Sequence, residues 1–145
     1  MRSKSLTILL AFFLLGCSSE ANRIKHYLTE AEIDYKPYQV LVIIPYGGCS
    51  SCLQTAFDFM ARMENDGSIL FVMSNVNDPR RMRLRLQDLV SNENLIIDSS
   101  RKHINQGLNT MYPYIVYKDG EMGFDVRIAD PYNEAEWVEL ESRMD

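Results

Sequence analysis

The sequence predicts an α/β domain in which helices cover both faces of a mixed β-sheet. Short apolar runs alternate with amphipathic segments from residue 23 onward, as in chains whose strands alternate with helices. The runs Val40–Ile44 and Ile69–Met73 are apolar throughout, as expected of central strands that are buried on both faces. Asp119-Gly120 predicts a hairpin turn, so antiparallel strands should complete a sheet that begins as parallel.

The first half of the domain alternates helix and strand. Arg23–Glu32 is predicted to be a helix, because its apolar residues recur at helical spacing, and Lys36-Pro37 should end it before the first strand. Leu53–Met63 carries a second helical stripe. The turn signal Asn65-Asp66-Gly67 should end that helix before the second strand.

The second half is predicted to continue this alternation and then close with a hairpin and a helix. Asp78 and Pro79 suit the cap and first position of a helix with apolar residues at Met82, Leu86, Leu89 and Val90. Residues 82–86 also alternate as a strand would, but the Asp-Pro start favours a helix. The remaining predicted elements are a strand at Leu95–Ile97, a helix capped by Ser99 or Ser100 and ending near Gly107, strands at Met111–Tyr117 and Glu121–Arg127, and a last helix from Tyr132 to about Arg143 that Pro131 opens.

The N-terminus has the layout of an export signal. Arg2 and Lys4 precede the apolar run Leu6–Leu15, which is too short to span a bilayer. The sequence Leu14-Leu15-Gly16-Cys17 resembles the lipobox of bacterial lipoproteins. This resemblance implies cleavage before Cys17 and lipid on its thiol and new amino terminus. An ordinary cleaved signal with a chance cysteine is the alternative.

The predicted organisation is therefore a signal peptide at 1–16, a lipidated tether at 17–22 and one domain at 23–145. The lipoprotein resemblance implies an anchor in the bacterial cell envelope. Because no aspartate directly follows Cys17, it favours the outer membrane.

The charge of the chain argues against nucleic acid as a partner. The formal net charge is −5 at pH 7, and loss of Arg2 and Lys4 with the signal would make it more negative. A local basic cluster nevertheless lies at Arg80, Arg81, Arg83 and Arg85. A solvated helix face is its simplest interpretation, and an acidic partner or lipid head groups are the alternatives.

Two cysteines lie between the end of the first predicted strand and the start of the second predicted helix. Free backbone N–H groups and the positive end of the helix dipole favour a thiolate at Cys49 or Cys52. If Cys17 carries lipid, these are the remaining cysteines of an exported chain and can pair only with each other. Thiol–disulfide exchange is therefore the leading hypothesis, with the more exposed Cys49 as attacker and Cys52 as resolving thiol. No bound cofactor is implied, because the dithiol is itself the reagent.

Other uses of the pair are weaker. A purely structural disulfide between Cys49 and Cys52 would close a very short loop and stabilise the fold by only about 2 kcal/mol. A metal site would need further ligands, and the histidines, His26 and His103, are not spaced as ligands beside the pair. Haem attachment needs a histidine directly after Cys52, where Leu53 stands.

The order of these motifs resembles the thioredoxin-like superfamily. A strand, a Cys-x-x-Cys at a helix start, Tyr112-Pro113 opening a later strand, and Lys118-Asp119-Gly120 after it occur in sequence between about Tyr38 and Arg143. The extra segment between Ile69 and Gly107 is more like the membrane-tethered periplasmic branch of thiol–disulfide oxidoreductases.

This resemblance implies roles for individual residues. Cys49 matches the nucleophile and Cys52 the resolving cysteine. Pro113 matches a proline that follows a cis peptide bond and packs against the disulfide, with an ordinary trans proline at a strand start as the alternative. Tyr112 would offer backbone groups to an extended substrate. The expected partners are exported proteins with thiols or disulfides. Ile43 departs from the family by replacing a buried aspartate that aids proton transfer, so a non-catalytic interaction module of the same fold is the alternative function.

Overall fold

A computed structural model describes residues 19–63, 65–88, 92–120, 123–132 and 134–144. The strands within these ranges are β1 (Val40–Pro45), β2 (Ile69–Ser74), β3 (Leu95–Ile97), β4 (Tyr114–Asp119) and β5 (Gly123–Ile128). The helices are α1 (Glu20–Glu30), α2 (Ser50–Arg62), α3 (Pro79–Leu86), α4 (Lys102–Asn105) and α5 (Ala135–Met144), and a short 3-10 turn covers Asn92–Asn94.

The five strands form one mixed sheet in the order β3-β2-β1-β4-β5. β1 pairs in parallel with β2, which pairs in parallel with β3. β4 runs antiparallel to β1 and to β5, which completes the predicted hairpin. The predicted thioredoxin-like α/β fold, with its mixed sheet, is therefore confirmed.

Alternate residues of the central strands enter two separate cores, which explains why these strands are apolar at every position. Val42 of β1 packs on one face among residues of α2, α3 and α5. Its neighbour Ile43 packs on the other face among residues of α1. Both side chains are fully buried. Helices therefore cover both faces, as the sequence predicts.

The first helix begins earlier than its apolar spacing predicts. Ser19 caps α1 by accepting the N–H of Asn22 with its hydroxyl at 3.4 Å. Glu20 then accepts the phenolic hydroxyl of Tyr114 at 2.6 Å, which ties the start of α1 to β4. Residues 20–22, assigned to the tether from sequence, are thus helical. The predicted lipid site Cys17 and the leader lie outside the described residues.

The segment after Asp78, whose pattern suits either a helix or a strand, is a helix, as its Asp-Pro start indicates. Asp78 caps α3 by accepting the N–H of Arg81 at 3.0 Å, and Pro79 occupies the first position. Met82 and Leu86 turn into the core, whereas Leu89 and Val90 lie outside the described residues.

Three predicted starts are displaced along the chain, where local side-chain hydrogen bonds compete with regular structure. The predicted serine-capped helix is only α4, whose N-cap is Arg101; the hydroxyl of Ser100 accepts the N–H of Lys102 at 3.4 Å, and Asp98 accepts the N–H of Ser100 at 2.8 Å. The last helix begins at Ala135 and not at Tyr132, whose N–H is accepted by Asp130 at 2.9 Å. β4 begins at Tyr114 and not at Met111, because the side chain of Asn109 accepts the N–H groups of Met111 and Tyr112.

The hairpin otherwise follows the prediction, although β5 begins at Gly123 and residues 121–122 lie outside the described residues. No helix in the described part of the chain combines the length and the apolar character that crossing a membrane requires.

Candidate functional site

Cys49 and Cys52 form a disulfide at the junction of β1 and α2. Their Cα atoms lie 5.3 Å apart, within the range that a disulfide requires. Cys49 is half-buried, whereas Cys52 is only 3% exposed. A partner approaching from solvent therefore meets the sulfur of Cys49 first.

The start of α2 supplies hydrogen-bond donors to the sulfur of Cys49. Cys49 is the N-cap residue, and its Sγ accepts the backbone N–H of Cys52 at 3.2 Å. The hydroxyl of Ser51 also lies 3.2 Å from this sulfur and must be the donor, since a disulfide sulfur carries no hydrogen. After reduction, these donors and the helix dipole would stabilise a thiolate at Cys49.

A loop formed by residues 109–113 packs directly against the cysteine loop. The backbone N–H of Cys49 donates to the carbonyl of Met111 at 3.2 Å. A Cβ placed on Gly48 would lie 3.0 Å from the carbonyl carbon of Met111 and 3.0 Å from the carbonyl oxygen of Thr110, and closer still to the oxygen of Met111. Glycine is therefore required at position 48 for the two loops to touch.

Asn109 holds that loop in place through its backbone and its side chain. Its backbone N–H donates to the hydroxyl of Tyr114 at 2.7 Å, and its carbonyl lies 2.8 Å from Nε2 of His103. Its side-chain oxygen accepts the N–H groups of Met111 and Tyr112 at 2.8 and 3.3 Å. Its side-chain amide donates to the carbonyl of Tyr112 at 3.0 Å.

These bonds explain why β4 starts late. The N–H groups of Met111 and Tyr112 are taken by Asn109, and Pro113 has no N–H to donate. Sequence analysis missed Asn109, although an asparagine shortly before a proline is an available signal for a side-chain-stabilised turn.

The structure brings Pro113 and Tyr112 to the loop beside the cysteines, but not in the form that the family resemblance implies. Among the residues that the structure describes there is no cis peptide bond, so the expectation of a cis bond before Pro113 is wrong. Pro113 is buried and its carbonyl accepts the N–H of Ala129 at 2.9 Å. Both backbone groups of Tyr112 bond the side chain of Asn109, so a substrate strand would have to share or displace these bonds, and the predicted contact of Tyr112 with a substrate stays a prediction.

A buried polar network lies behind the loop. His103 is fully buried, and burial lowers the pKa of its imidazole below the usual range. Because the carbonyl of Asn109 can only accept, Nε2 of His103 carries the proton, and the buried Nδ1 has no hydrogen-bond partner in the described part of the chain. Burial also raises the pKa of Tyr114, whose hydroxyl donates to Glu20. His103 and Tyr114 are therefore held in their neutral, hydrogen-bonding forms.

In the described part of the chain, the cysteine pair is accompanied neither by an acid at position 43 nor by a metal-binding cluster. Ile43, which the resemblance aligns with a buried aspartate of thioredoxin-like proteins, is fully buried in β1. Over the described ranges, no group of three or more histidine, cysteine, aspartate or glutamate residues is arranged to hold a metal ion. His26 is exposed on α1 and His103 already bonds Asn109.

Comparison with known proteins adds no relative to this description. No model of a known protein family matches the chain, and neither a curated protein nor a solved structure does.

Proposed function

We propose that this protein exchanges thiols and disulfides with exported protein partners through Cys49 and Cys52. The observation that carries the proposal is the environment of Cys49, a half-exposed helix N-cap whose sulfur faces two hydrogen-bond donors and lies within disulfide distance of Cys52. Exchange needs an accessible sulfur, a stabilised thiolate and a nearby resolving thiol, and this arrangement supplies all three.

The reaction begins when a partner thiolate attacks the sulfur of Cys49 in the oxidised protein. The bond between Cys49 and Cys52 breaks, and Cys52 leaves as a thiolate that takes a proton from water. A second thiolate of the partner then attacks the partner's own sulfur in the mixed disulfide, and Cys49 leaves as a thiolate. The two thiolates of the partner lose two electrons and form a disulfide, and the cysteine pair gains those two electrons. Protons are exchanged only with water, which leaves Cys52 as a thiol and Cys49 as a thiolate. Reduction of a partner disulfide follows these steps in reverse.

The expected setting is the bacterial cell envelope. The lipobox-like sequence ending in Cys17 supports a lipid anchor there, and the residue after Cys17, which is not an aspartate, favours the outer membrane. An anchored domain of this kind would meet exported proteins in a compartment where disulfides persist.

A non-catalytic interaction module is the second candidate. Two observations favour it: the acid of the family is replaced by the buried Ile43, and the backbone groups of Tyr112 are occupied by Asn109. The two functions differ in whether Cys49 becomes a reactive thiolate after reduction.

Alkylation after mild reduction tests this difference. In the full chain carrying Cys17→Ser, one thiol should react with iodoacetamide with an apparent pKa below the ordinary value of about 8.5. Because a lowered pKa keeps the thiolate populated as the pH falls, fast alkylation should persist below pH 8. Cys49→Ser should remove the fast-reacting thiol. Two thiols that both titrate at or above about 8.5 would contradict the proposal.

A further inference from the structure

Three cavities meet beside the cysteine loop, and Tyr46 lines all of them. Their volumes are about 400, 540 and 420 Å³. Gly47 is shared by the first and third, Asn77 by the first and second, and Arg85 by the second and third, so the cavities form a continuous surface. We call this surface the Tyr46 groove. It reaches Gly47 and Ser50, which flank Cys49 on both sides in the sequence.

The charge of the groove is opposite to that of the whole chain. The chain has a formal net charge of −5, yet the groove is lined by Arg81, Arg85 and Arg101. Among the described residues that line it, the acidic one is Asp78, whose carboxylate accepts the N–H of Arg81 at the start of α3. The groove is therefore a basic surface on an acidic domain.

These guanidinium groups are not neutralised by ion pairs. In the ranges that the structure covers, arginine ion pairs are formed by Arg62, Arg127 and Arg143, and none is formed by the three arginines of the groove. Arg85 lies 5.1 Å from the ring centre of Phe57, a residue of α2. This cation–π contact places the positive charge of Arg85 against α2, the helix that begins beside the cysteines.

We infer that the Tyr46 groove binds an acidic polypeptide segment that flanks the reactive cysteine of the partner. The inference rests on the proposed exchange function and assigns its partner class. A segment that presents sulfur to Cys49 must pass over neighbouring surface, and on this side that surface offers three unpaired cations and polar groups. Charge complementarity of this kind raises the rate of encounter and selects partners.

The helix α3 provides its own matched control, since two of its arginines line the groove and two do not. The test variant is R81E/R85E and the control is R80E/R83E, which changes the net charge equally at exposed positions outside the groove. Both are made in the full chain carrying Cys17→Ser and kept in non-ionic detergent. Arg101→Glu, on another element, is a second test should the first variant lose helical circular dichroism.

The probes are disulfide-linked dimers of two synthetic peptides, Glu-Glu-Gly-Cys-Gly-Glu-Glu and Lys-Lys-Gly-Cys-Gly-Lys-Lys. Reduced protein attacks the peptide disulfide through Cys49 and releases one peptide thiol. Cys52 then resolves the mixed disulfide and releases the second, so each cycle converts one dithiol and one peptide disulfide into one protein disulfide and two peptide thiols. Acid-quenched samples give the rate constants.

R81E/R85E should slow oxidation by the acidic probe by about tenfold at low ionic strength and speed oxidation by the basic probe. R80E/R83E should change either rate much less. The difference should shrink as ionic strength rises from about 0.01 to 0.15 M, because the screening length falls from about 30 to 8 Å.

Equal effects of the two double variants on the acidic probe, or no effect, would overturn the inference. It would also be overturned if the two double variants reacted equally with the acidic probe while phosphatidylglycerol micelles bound R80E/R83E but not R81E/R85E, since the groove would then take lipid head groups and not an acidic segment. Reaction of the wild type with neither peptide nor with hydroxyethyl disulfide would refute the proposed exchange itself, and the inference would fall with it.

Discussion

Replacing Cys49 with serine is expected to abolish exchange, whereas replacing Cys52 with serine is expected to trap the partner. Cys49→Ser lacks the exposed sulfur, so a peptide disulfide should be reduced no faster than without protein. Cys52→Ser keeps the attacking thiolate but cannot resolve the mixed disulfide, which should therefore accumulate. Mass spectrometry of samples quenched by alkylation measures both outcomes.

The two variants control for each other, because each removes the same disulfide. Each should lose about 2 kcal/mol of stability through the chain-entropy effect of a loop this short. Equal trapping by Cys49→Ser and Cys52→Ser would contradict the assigned roles. The absence of any mixed disulfide with Cys52→Ser would favour the interaction module.

Replacing Gly48 with alanine is expected to destabilise the fold more than any other addition of a single methyl group near the site. The new Cβ would collide with the backbone of Met111 and Thr110, which cannot turn away as a flexible side chain can. Separating the loops would strain the bond from the Cys49 N–H to the Met111 carbonyl. We expect a loss of about 1–3 kcal/mol in the free energy of unfolding, measured by urea denaturation of the oxidised protein.

Gly67→Ala is the matched control for this variant. A Cβ at Gly67 would meet no atom within 4 Å, so the substitution should change stability by no more than about 0.5 kcal/mol. Equal stability of the two alanine variants would show that the contact between the cysteine loop and the Met111 loop does not constrain the site.

The parts of the fold that sequence predicts well are those set by local pattern. The apolar runs around Val42 and Phe71 are continuous because both faces of those strands are covered, and continuous burial leaves a pattern that can be recognised without the fold. The Asp78-Pro79 start of α3 likewise depends on adjacent residues alone. The position of the cysteines at a strand-to-helix junction follows from the same local signals.

The parts that sequence predicts poorly depend on contacts between distant residues. Asn109 interrupts the expected strand at Met111 by bonding backbone groups, and it is itself held by Tyr114 and His103. The family resemblance predicted a cis bond before Pro113, and none is found among the described residues. The backbone groups of Tyr112, which it predicted for a substrate, are bonded to Asn109.

The orientation of the arginines in the basic cluster also depends on contacts between distant residues. Its sequence reveals four arginines but not which of them face the cysteines. That is decided when Met82 and Leu86 enter the core, which turns Arg81 and Arg85 toward the Tyr46 groove.

The reduction potential of the Cys49–Cys52 pair tests the central claim most directly. It is measured by equilibrating the full chain carrying Cys17→Ser with glutathione redox buffers for the upper part of the range and dithiothreitol redox buffers for the lower part. A working exchange protein should have a potential between about −120 and −270 mV, and the position within that range indicates whether it oxidises or reduces its partners. A potential below about −300 mV would mark a structural disulfide and contradict the proposed function.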